Sequence, residues 1–364
     1  MAAADRKRVY LDLTHLGRHV TGIERVSIEQ FEKVAFENAD IVPVRSHGVL
    51  SMVLRQQLLL PWLALRHPKA HFIFPGFPPS PLFALARRRV HLYVHDTFLI
   101  TRSNDLSAKA RLYMAPQFKI AVRRLKSFFV NSQKTRTDLM AHTPPDAAIA
   151  LYRPSVANHF ELSAANRGSL AAMPRPLKLV ALGTVEPRKN YAAALAILDS
   201  IRARHDQDAR LHIIGRAGWG DDAALVSSHP GVTVHGYLTA EAVKQVMEAS
   251  DVYVCTSHDE GLGLPLLEAQ FAGLPVIAPD QPVFREVLAG SGTFIDPKSP
   301  DDAADAIMQL CGRQGWRQAC ADAALSNVTR WNEAAEQDLI AARATFATRK
   351  AEPAPSALSA ARPV

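Results

Sequence analysis

His258-Asp259-Glu260-Gly261-Leu262-Gly263-Leu264-Pro265-Leu266-Leu267-Glu268-Ala269 decides how this chain is read. Before it stands Val252-Tyr253-Val254-Cys255, a short apolar run with strand character. The run Leu264 to Ala272 predicts a helix that begins just past the glycines. A strand, a glycine turn and a helix N-terminus together leave free backbone N–H groups and the positive end of a helix dipole facing one spot, which suits an anion. Glu268 falls about one turn into that helix. A carboxylate there repels phosphate but accepts hydrogen bonds from hydroxyls. Phosphate and polyol recognised side by side point to a nucleotide sugar.

Glu260 and Glu268 have seven residues between them. The segment resembles the E-x7-E signature of the retaining family 4 glycosyltransferases. Ala272-Gly273-Leu274-Pro275-Val276-Ile277-Ala278 resembles the strand that follows in that family. Upstream, Gly183-Thr184-Val185-Glu186-Pro187-Arg188-Lys189-Asn190 is similar to its phosphate-binding "G-x-x-E-P-R-K-N". Each piece alone also fits an ordinary turn, a solvated helix face or a charged loop. Their order, and their shared place at the predicted C-terminal ends of strands, is what favours a site, because ligands bind at that edge of open α/β sheets.

The chain has 364 residues, enough for two domains, with 48% apolar and 21% charged residues as in ordinary globular proteins. Leu58 to Leu65 is the longest apolar stretch, is broken by Pro61, and is far too short to span a bilayer. The N-terminus lacks the apolar core of a signal peptide, so a cytoplasmic location is expected. Cys255, Cys311 and Cys320 have no metal-ligand spacing and are expected to be packed, reduced thiols. The net charge of +7 conceals an asymmetry. Residues 1–172 hold 24 Lys and Arg against 12 Asp and Glu, and residues 173–364 hold 18 against 23. The basic half therefore suggests an anionic partner, either a membrane surface on which the protein would sit peripherally or a lipid-phosphate acceptor. Nucleic acid is the weaker alternative, because no nucleic-acid motif or aromatic-basic array is present.

Strands are predicted at Val9 to Leu13, Ile41 to Val44, Phe72 to Phe74, Leu92 to Val94, Phe128 to Val130 and Ile149 to Leu151. Helices are predicted at Ile23 to Phe36, at Leu106 to Leu125 with an interruption near Pro116, and from an N-cap at Ser132 to Met140. A linker follows at 157–177. The alternation then restarts with strands at Leu179 to Leu182, Leu211 to Ile214, Val232 to Val234, Val252 to Cys255 and Pro275 to Ala278. Helices at Tyr191 to Arg204, Ala240 to Ala249, Asp301 to Cys311 and Gln314 to Phe346 complete the second half. This is an α/β protein with parallel sheets. The expected units are 1–172, an N-terminal Rossmann-like acceptor domain, and 173–348, a C-terminal Rossmann-like donor domain. Residues 349–364, rich in Ala and Pro, are expected to be a disordered tail.

The family resemblance implies the GT-B fold, two such domains facing a cleft, with the last helix crossing back and Trp331 as its anchor. Within the first domain, Thr21-Gly22-Ile23-Glu24-Arg25-Val26 resembles the family's glycine loop, with Thr21 replacing its first glycine. His95-Asp96 is similar to the "HD" pair of mannosyltransferase-like members. By resemblance His95 stands beside the donor sugar, and Asp96 faces the acceptor hydroxyl or orients nearby groups. Residues 153–160 replace the family's "PNGVDxxxF" loop, with Ser155 where glycine is usual. Arg188 and Lys189 are expected to neutralise the diphosphate, Glu260 to bind sugar hydroxyls, and Glu268 to bind the ribose. Backbone at Gly183 and at Gly261, Leu262, Gly263 and Leu264 would cradle sugar and phosphate, and the base is expected near Gly215-Arg216 and Gly236-Tyr237. Gly22 would let the first domain approach the ligand closely.

The implied activity is retaining transfer of a sugar from a nucleotide-diphosphate sugar to a glycan or lipid-linked acceptor, by front-side attack and without a metal or other cofactor. Gly215-Arg216-Ala217-Gly218-Trp219 resembles the "GKxGW" of mannosyltransferase-like members and mildly favours GDP-mannose. The alternatives are a GT-B nucleotide-sugar epimerase and a non-enzymatic basic binding protein for membranes or nucleic acid.

Overall fold

Two six-stranded parallel sheets form the framework of the protein, a computed structural model that describes residues 6–16, 22–102, 106, 110–165, 167, 173–216, 218, 220 and 222–346. Thr21, Ala217, Trp219 and the expected tail at 349–364 lie outside the described residues. The first sheet contains β1 (Lys7–Leu13), β2 (Ala39–Arg45), β3 (His71–Phe74), β4 (Val90–Val94), β5 (Ser127–Val130) and β6 (Ala148–Leu151), in spatial order β2-β1-β3-β4-β5-β6. The second contains β7 (Leu177–Leu182), β8 (Ala209–Ile214), β9 (Val232–Gly236), β10 (Val252–Val254), β11 (Val276–Pro279) and β12 (Gly292–Ile295), in order β12-β11-β10-β7-β8-β9. Central strands are apolar on both faces, as burial under helices on each side requires. In β4, for example, all five residues are buried. The order reverses beside β1 in one sheet and beside β7 in the other, which opens a crevice at the C-terminal ends of those strands.

Every predicted strand is present, extended by one or two residues at some ends. β12 was not anticipated from the sequence. It has four residues, only the last of which is buried, so it carries too little apolar signal to stand out. The first helix is shorter than expected: Gly22–Ser27 continues as a wider π-type stretch at Ile28–Glu32 and stops there, while Val34 and Phe36 are buried from the following loop. The break foreseen at Pro116 is a change of helix type, from Ala110–Met114 to Ala115–Arg124, with the proline in the first turn where its missing N–H costs nothing. Ser132 caps Gln133–Met140 by accepting from Thr135 N.

Val156 and Leu162 leave the first domain and pack in the core under β10 and β11. The final helix, Trp316–Arg343, is 28 residues long and does cross back. Its anchor on the first domain is not Trp331, which is buried in the second domain's core and donates from Nε1 to Pro154 O at 2.9 Å. That role falls to Phe346, fully buried against the first domain with Ala342 and edge-on to Phe36, His71 and His91. A helix rising about 1.5 Å per residue carries its end some 20 Å beyond Trp331, far enough to change domains.

Candidate functional site

The loops after β7 and β10 are stitched together by their own backbone. His258 N donates to Arg188 O at 2.8 Å, and Thr256 Oγ1 donates to the carbonyls of Lys189 and Asn190 at 3.1 and 2.9 Å. Pro187–Lys189 forms a single tight turn, and Asn190, at φ 52°, redirects the chain into the helix Tyr191–His205. These constraints aim Arg188 and Lys189 back over the end of the sheet.

What they meet there is Glu260. Arg188 lies 2.6 Å from Oε2, Lys189 Nζ lies 2.7 Å from Oε1, and Ser257 Oγ donates to Oε1 at 2.8 Å. Burial alone would raise the pKa of this carboxyl, but Lys189 and Arg188 outweigh it and bring it down from 4.5 to about 2. Glu260 is therefore ionised at any physiological pH. Arg188 is further held by Glu186 at 2.6 Å and by Asp259 O at 3.1 Å. Its burial is opposed by the charges of Glu260 and Glu186, and its proton is held more tightly than usual.

The first domain closes this cluster from the other side. His95 and Asp96 follow β4 directly. A β-carbon placed on Gly261 would stand 2.0 Å from His95 O, so only glycine permits this approach of the two domains. Asn131 Nδ2 holds the same carbonyl at 2.8 Å. His95 Nε2 lies 2.7 Å from Pro75 O, an acceptor only, which requires the proton on Nε2. Burial lowers the His95 imidazole to about 4, so the ring is neutral. The Asp96 carboxyl, raised by burial and lowered by its bond from Phe98 N and by Arg188, ends above its usual value. Phe98 stands between two cations, with Arg188 and Lys134 at 5.4 and 5.3 Å from its ring centre.

His95, Asp96, Arg188, Lys189, Glu260 and Gly261 thus converge on one crevice from loops that lie up to 166 positions apart. Gly263, at φ +84°, starts the helix Leu264–Gln270 as the sequence implied. Leu262 turns its side chain into the core, and Leu264 is shared between the cores of the two domains. Gly183 and Gly215 pack backbone to backbone: a β-carbon on Gly215 would lie 2.0 Å from Gly183 O, while Lys189 covers Gly183. Arg216 O accepts from Val185 N at 3.1 Å. Gly236 is bridged to Gly215, and Tyr237 beside it is exposed. Gly22 is exposed and nothing stands within 4 Å of where a β-carbon would project, so no packing within the protein requires glycine there.

Glu268 meets the first domain three residues further on, at Arg25, with which it forms an ion pair. The two side chains line a small interdomain cavity with Leu264 and the 154–159 loop, so the loop that departs from the family pattern borders the expected ribose site. Arg25, Lys134 and Ser132 were not expected at the site from the sequence. Lys134 Nζ reaches Asp259 at 2.8 Å, Ser132 Oγ donates to Gly261 O at 2.6 Å, and the N–H groups of Gln133 and Lys134 point at Glu286. The only available signal was the N-cap at Ser132, which places a helix N-terminus at the mouth of the crevice, where Glu286 takes up the N–H groups of Gln133 and Lys134. Among the described residues no cluster of three or more His, Cys, Asp or Glu is arranged to hold a metal. Cys255 and Cys311 are buried thiols, and Cys320 is partly so.

Residues 164–326 match the family described as Glycosyl transferases group 1. The chain is 26% identical to the O-antigen chain mannosyltransferase B of Escherichia coli over 317 residues, covering 80% of this chain and 81% of that protein. It is 33% identical to the serotype-specific mannosyltransferase WbdA of Escherichia coli over 144 residues, 38% of this chain but only 18% of the longer relative. In three dimensions it superposes on HepE of Anabaena, solved with UDP and glucose, with a TM-score of 0.64 at 14% identity, covering 92% of this chain and 100% of that one. The fold is GT-B.

Proposed function

We propose that this chain, whose residues 164–326 match the group 1 glycosyltransferases, moves a sugar, mannose first among candidates, from a nucleotide-diphosphate donor to a hydroxyl of a glycan or lipid-linked acceptor. The observation that carries the reading is the pair Arg188–Lys189, fixed at the end of β7 on Glu260, whose neighbour Gly261 packs against His95 of the other domain. Two cations held by protein rather than by water need no reorganisation as negative charge builds on a departing diphosphate. A carboxylate as acidic as Glu260 remains an acceptor throughout, which suits it to sugar hydroxyls. Neutral His95 can hydrogen-bond a hydroxyl without adding a charge next to the anomeric carbon. The names of the relatives favour mannose, and GDP follows from that preference alone. Retention of the anomeric configuration, and catalysis without a metal, belong to the same proposal. The metal-free part rests on Arg188 and Lys189 offering two fixed positive charges where an Asp-x-Asp enzyme would use a divalent ion.

Glu260 pairs with both cations, Glu186 also pairs with Arg188, and Arg25 pairs with Glu268. Donor binding then exchanges these internal partners for diphosphate and ribose. A thermal-shift comparison of GDP, UDP, dTDP and ADP, followed by transfer from the matching nucleotide sugar with product stereochemistry read by NMR, tests the proposal. A selective shift with GDP and an α-linked product from GDP-mannose are expected. Conversion of the donor sugar into its epimer without transfer, or no response to any nucleotide, would remove the transferase reading.

A further inference from the structure

The stretch 49–66 forms three contiguous helical turns-in-series, Val49–Leu54, Arg55–Leu59 and Leu60–Arg66, on the outer side of the first sheet. It carries two apolar rows. Met52, Gln56, Leu60 and Ala64 are buried, and Gln56 reaches back to Thr14 Oγ1 at 2.8 Å, beside the C-terminal end of β1. Leu50, Leu54, Leu58 and Trp62, offset by two positions and so on the opposite side, are 48 to 73% exposed. Four α-helical residues overshoot a full turn by about 40°, and the wider π-type segment at Arg55–Leu59 undershoots it, so the exposed row stays straight. Leu65 continues it. An open groove of about 750 Å³ lies along this row. A surface helix ordinarily shows water its polar face; here that face is leucine and tryptophan.

The surroundings are positive. From residue 46 to 126 the chain has thirteen Lys and Arg and two acids, Asp96 and Asp105. Asp96 belongs to the catalytic crevice. The neighbouring turn Pro81–Ala86, which packs against both Leu60–Arg66 and Ala115–Arg124, adds exposed Leu82 and Leu85. Arg66, Arg87, Arg88, Arg123 and Arg124 are all exposed around this layer.

We propose that the face built from helix 49–66 and its basic surround is a docking surface for an anionic lipid bilayer, with the Leu50–Leu54–Leu58–Trp62 row entering the headgroup boundary. A second copy of the chain would bring like charge against like charge. A nucleic acid would leave the leucine row wet. A bilayer carrying anionic headgroups satisfies both the apolar row and the arginines, and tryptophan suits that boundary. Among the described residues no helix is long and apolar enough to cross a membrane, so this is attachment to one leaflet. The inference goes beyond the transferase reading and does not depend on it, since binding is read with no donor or acceptor present.

The test is flotation of the full chain with phosphatidylcholine vesicles and with vesicles containing phosphatidylglycerol, at low and high salt. Strong partitioning to the anionic vesicles, weakened by salt, is expected. The double variant R87Q/R88Q should lose about thirtyfold of that partitioning, from about fivefold per basic residue near the surface. The variant L54E/L58E should lose binding to all vesicles. Both alter exposed positions, and their unfolding midpoints and nucleotide responses should match the parent. Equal partitioning to neutral and anionic vesicles, no partitioning at all, or an unaffected L54E/L58E variant would overturn the proposal. So would dimerisation abolished by L54E/L58E, which assigns the row to a second copy, or RNA binding without flotation, which assigns the charge to nucleic acid.

Discussion

Replacing Glu260 by Gln keeps the side-chain volume and removes one charge from the centre of the crevice. The structure sets the size of the effect in two ways. The fall of the carboxyl from 4.5 to about 2 corresponds to about 3 kcal/mol at 1.36 kcal/mol per pH unit. Breaking a buried ion pair by removing one partner costs about 3–5 kcal/mol. Arg188 keeps Glu186 and Asp259 O after the change, which favours the lower end. The sign follows from the folded value being depressed. The stabilisation is fully present above about pH 4.5 and is lost as the pH falls towards 2. Urea unfolding of both proteins across a pH series should therefore show a gap of about 3 kcal/mol at neutral pH that narrows below about pH 4.5. Nucleotide supplies a second arm. With Arg188 and Lys189 released from Glu260, the variant should bind GDP at least as tightly as the parent, and regain about 2.7 kcal/mol at a hundred times the dissociation constant. Turnover should still fall by about tenfold or more, because one lost charged hydrogen bond to the sugar is worth that much. A gap that is absent, or that does not change with pH, would refute the claim that Glu260 is the ionised centre of the cluster.

Four further outcomes are expected. Glu268→Ala should weaken nucleotide binding by about 1.5–3 kcal/mol in calorimetry, and Arg25→Ala should not, because only the first removes a ligand for ribose; equal losses would make the pair merely structural. Transfer should survive EDTA, whereas Lys189→Ala should be far more damaging than chelation; activity abolished by EDTA and restored by manganese would contradict the role given to Arg188 and Lys189. Gly261→Ala should cost about 1–3 kcal/mol of stability or force the domains apart, seen as a larger radius of gyration by X-ray scattering, since its new methyl group would overlap His95 O. Phe346→Ala should destabilise by about 3–5 kcal/mol in denaturant unfolding; a neutral result would mean that the terminal helix does not hold the two domains together.

Most of the framework was readable because parallel strands covered on both faces become short runs of Val, Ile, Leu and Phe between turn residues, and these runs are local. β4 and β5 are such cases. β12 was not, since three of its four residues are only partly buried. Helix 49–66 escaped for the opposite reason: apolar on two sides, it has no single-face period to detect. Trp331 was recognised as an anchor but given to the wrong domain, because an indole buried by one core looks the same in sequence as one buried by another. Part of the site was readable too. Glycines at 261 and 263 and the bases at 188 and 189 stand at strand ends, and strand ends are where a sheet of this kind exposes its ligand edge.

The sequence by itself determined the order of strands and helices, the edge at which ligands would sit, and the uneven charge of the two halves, all of which depend on neighbours along the chain. Only the tertiary structure decided which charges face one another. Arg25 and Glu268 are 243 positions apart, and Lys189 and Glu260 are 71 apart. Their pairing follows from the packing of the two domains and from the loops stitched behind them, not from any local preference. The reason is physical: backbone propensity and apolar periodicity act over a few residues, while the partner of a buried charge is chosen by whichever surfaces burial brings within about 3 Å.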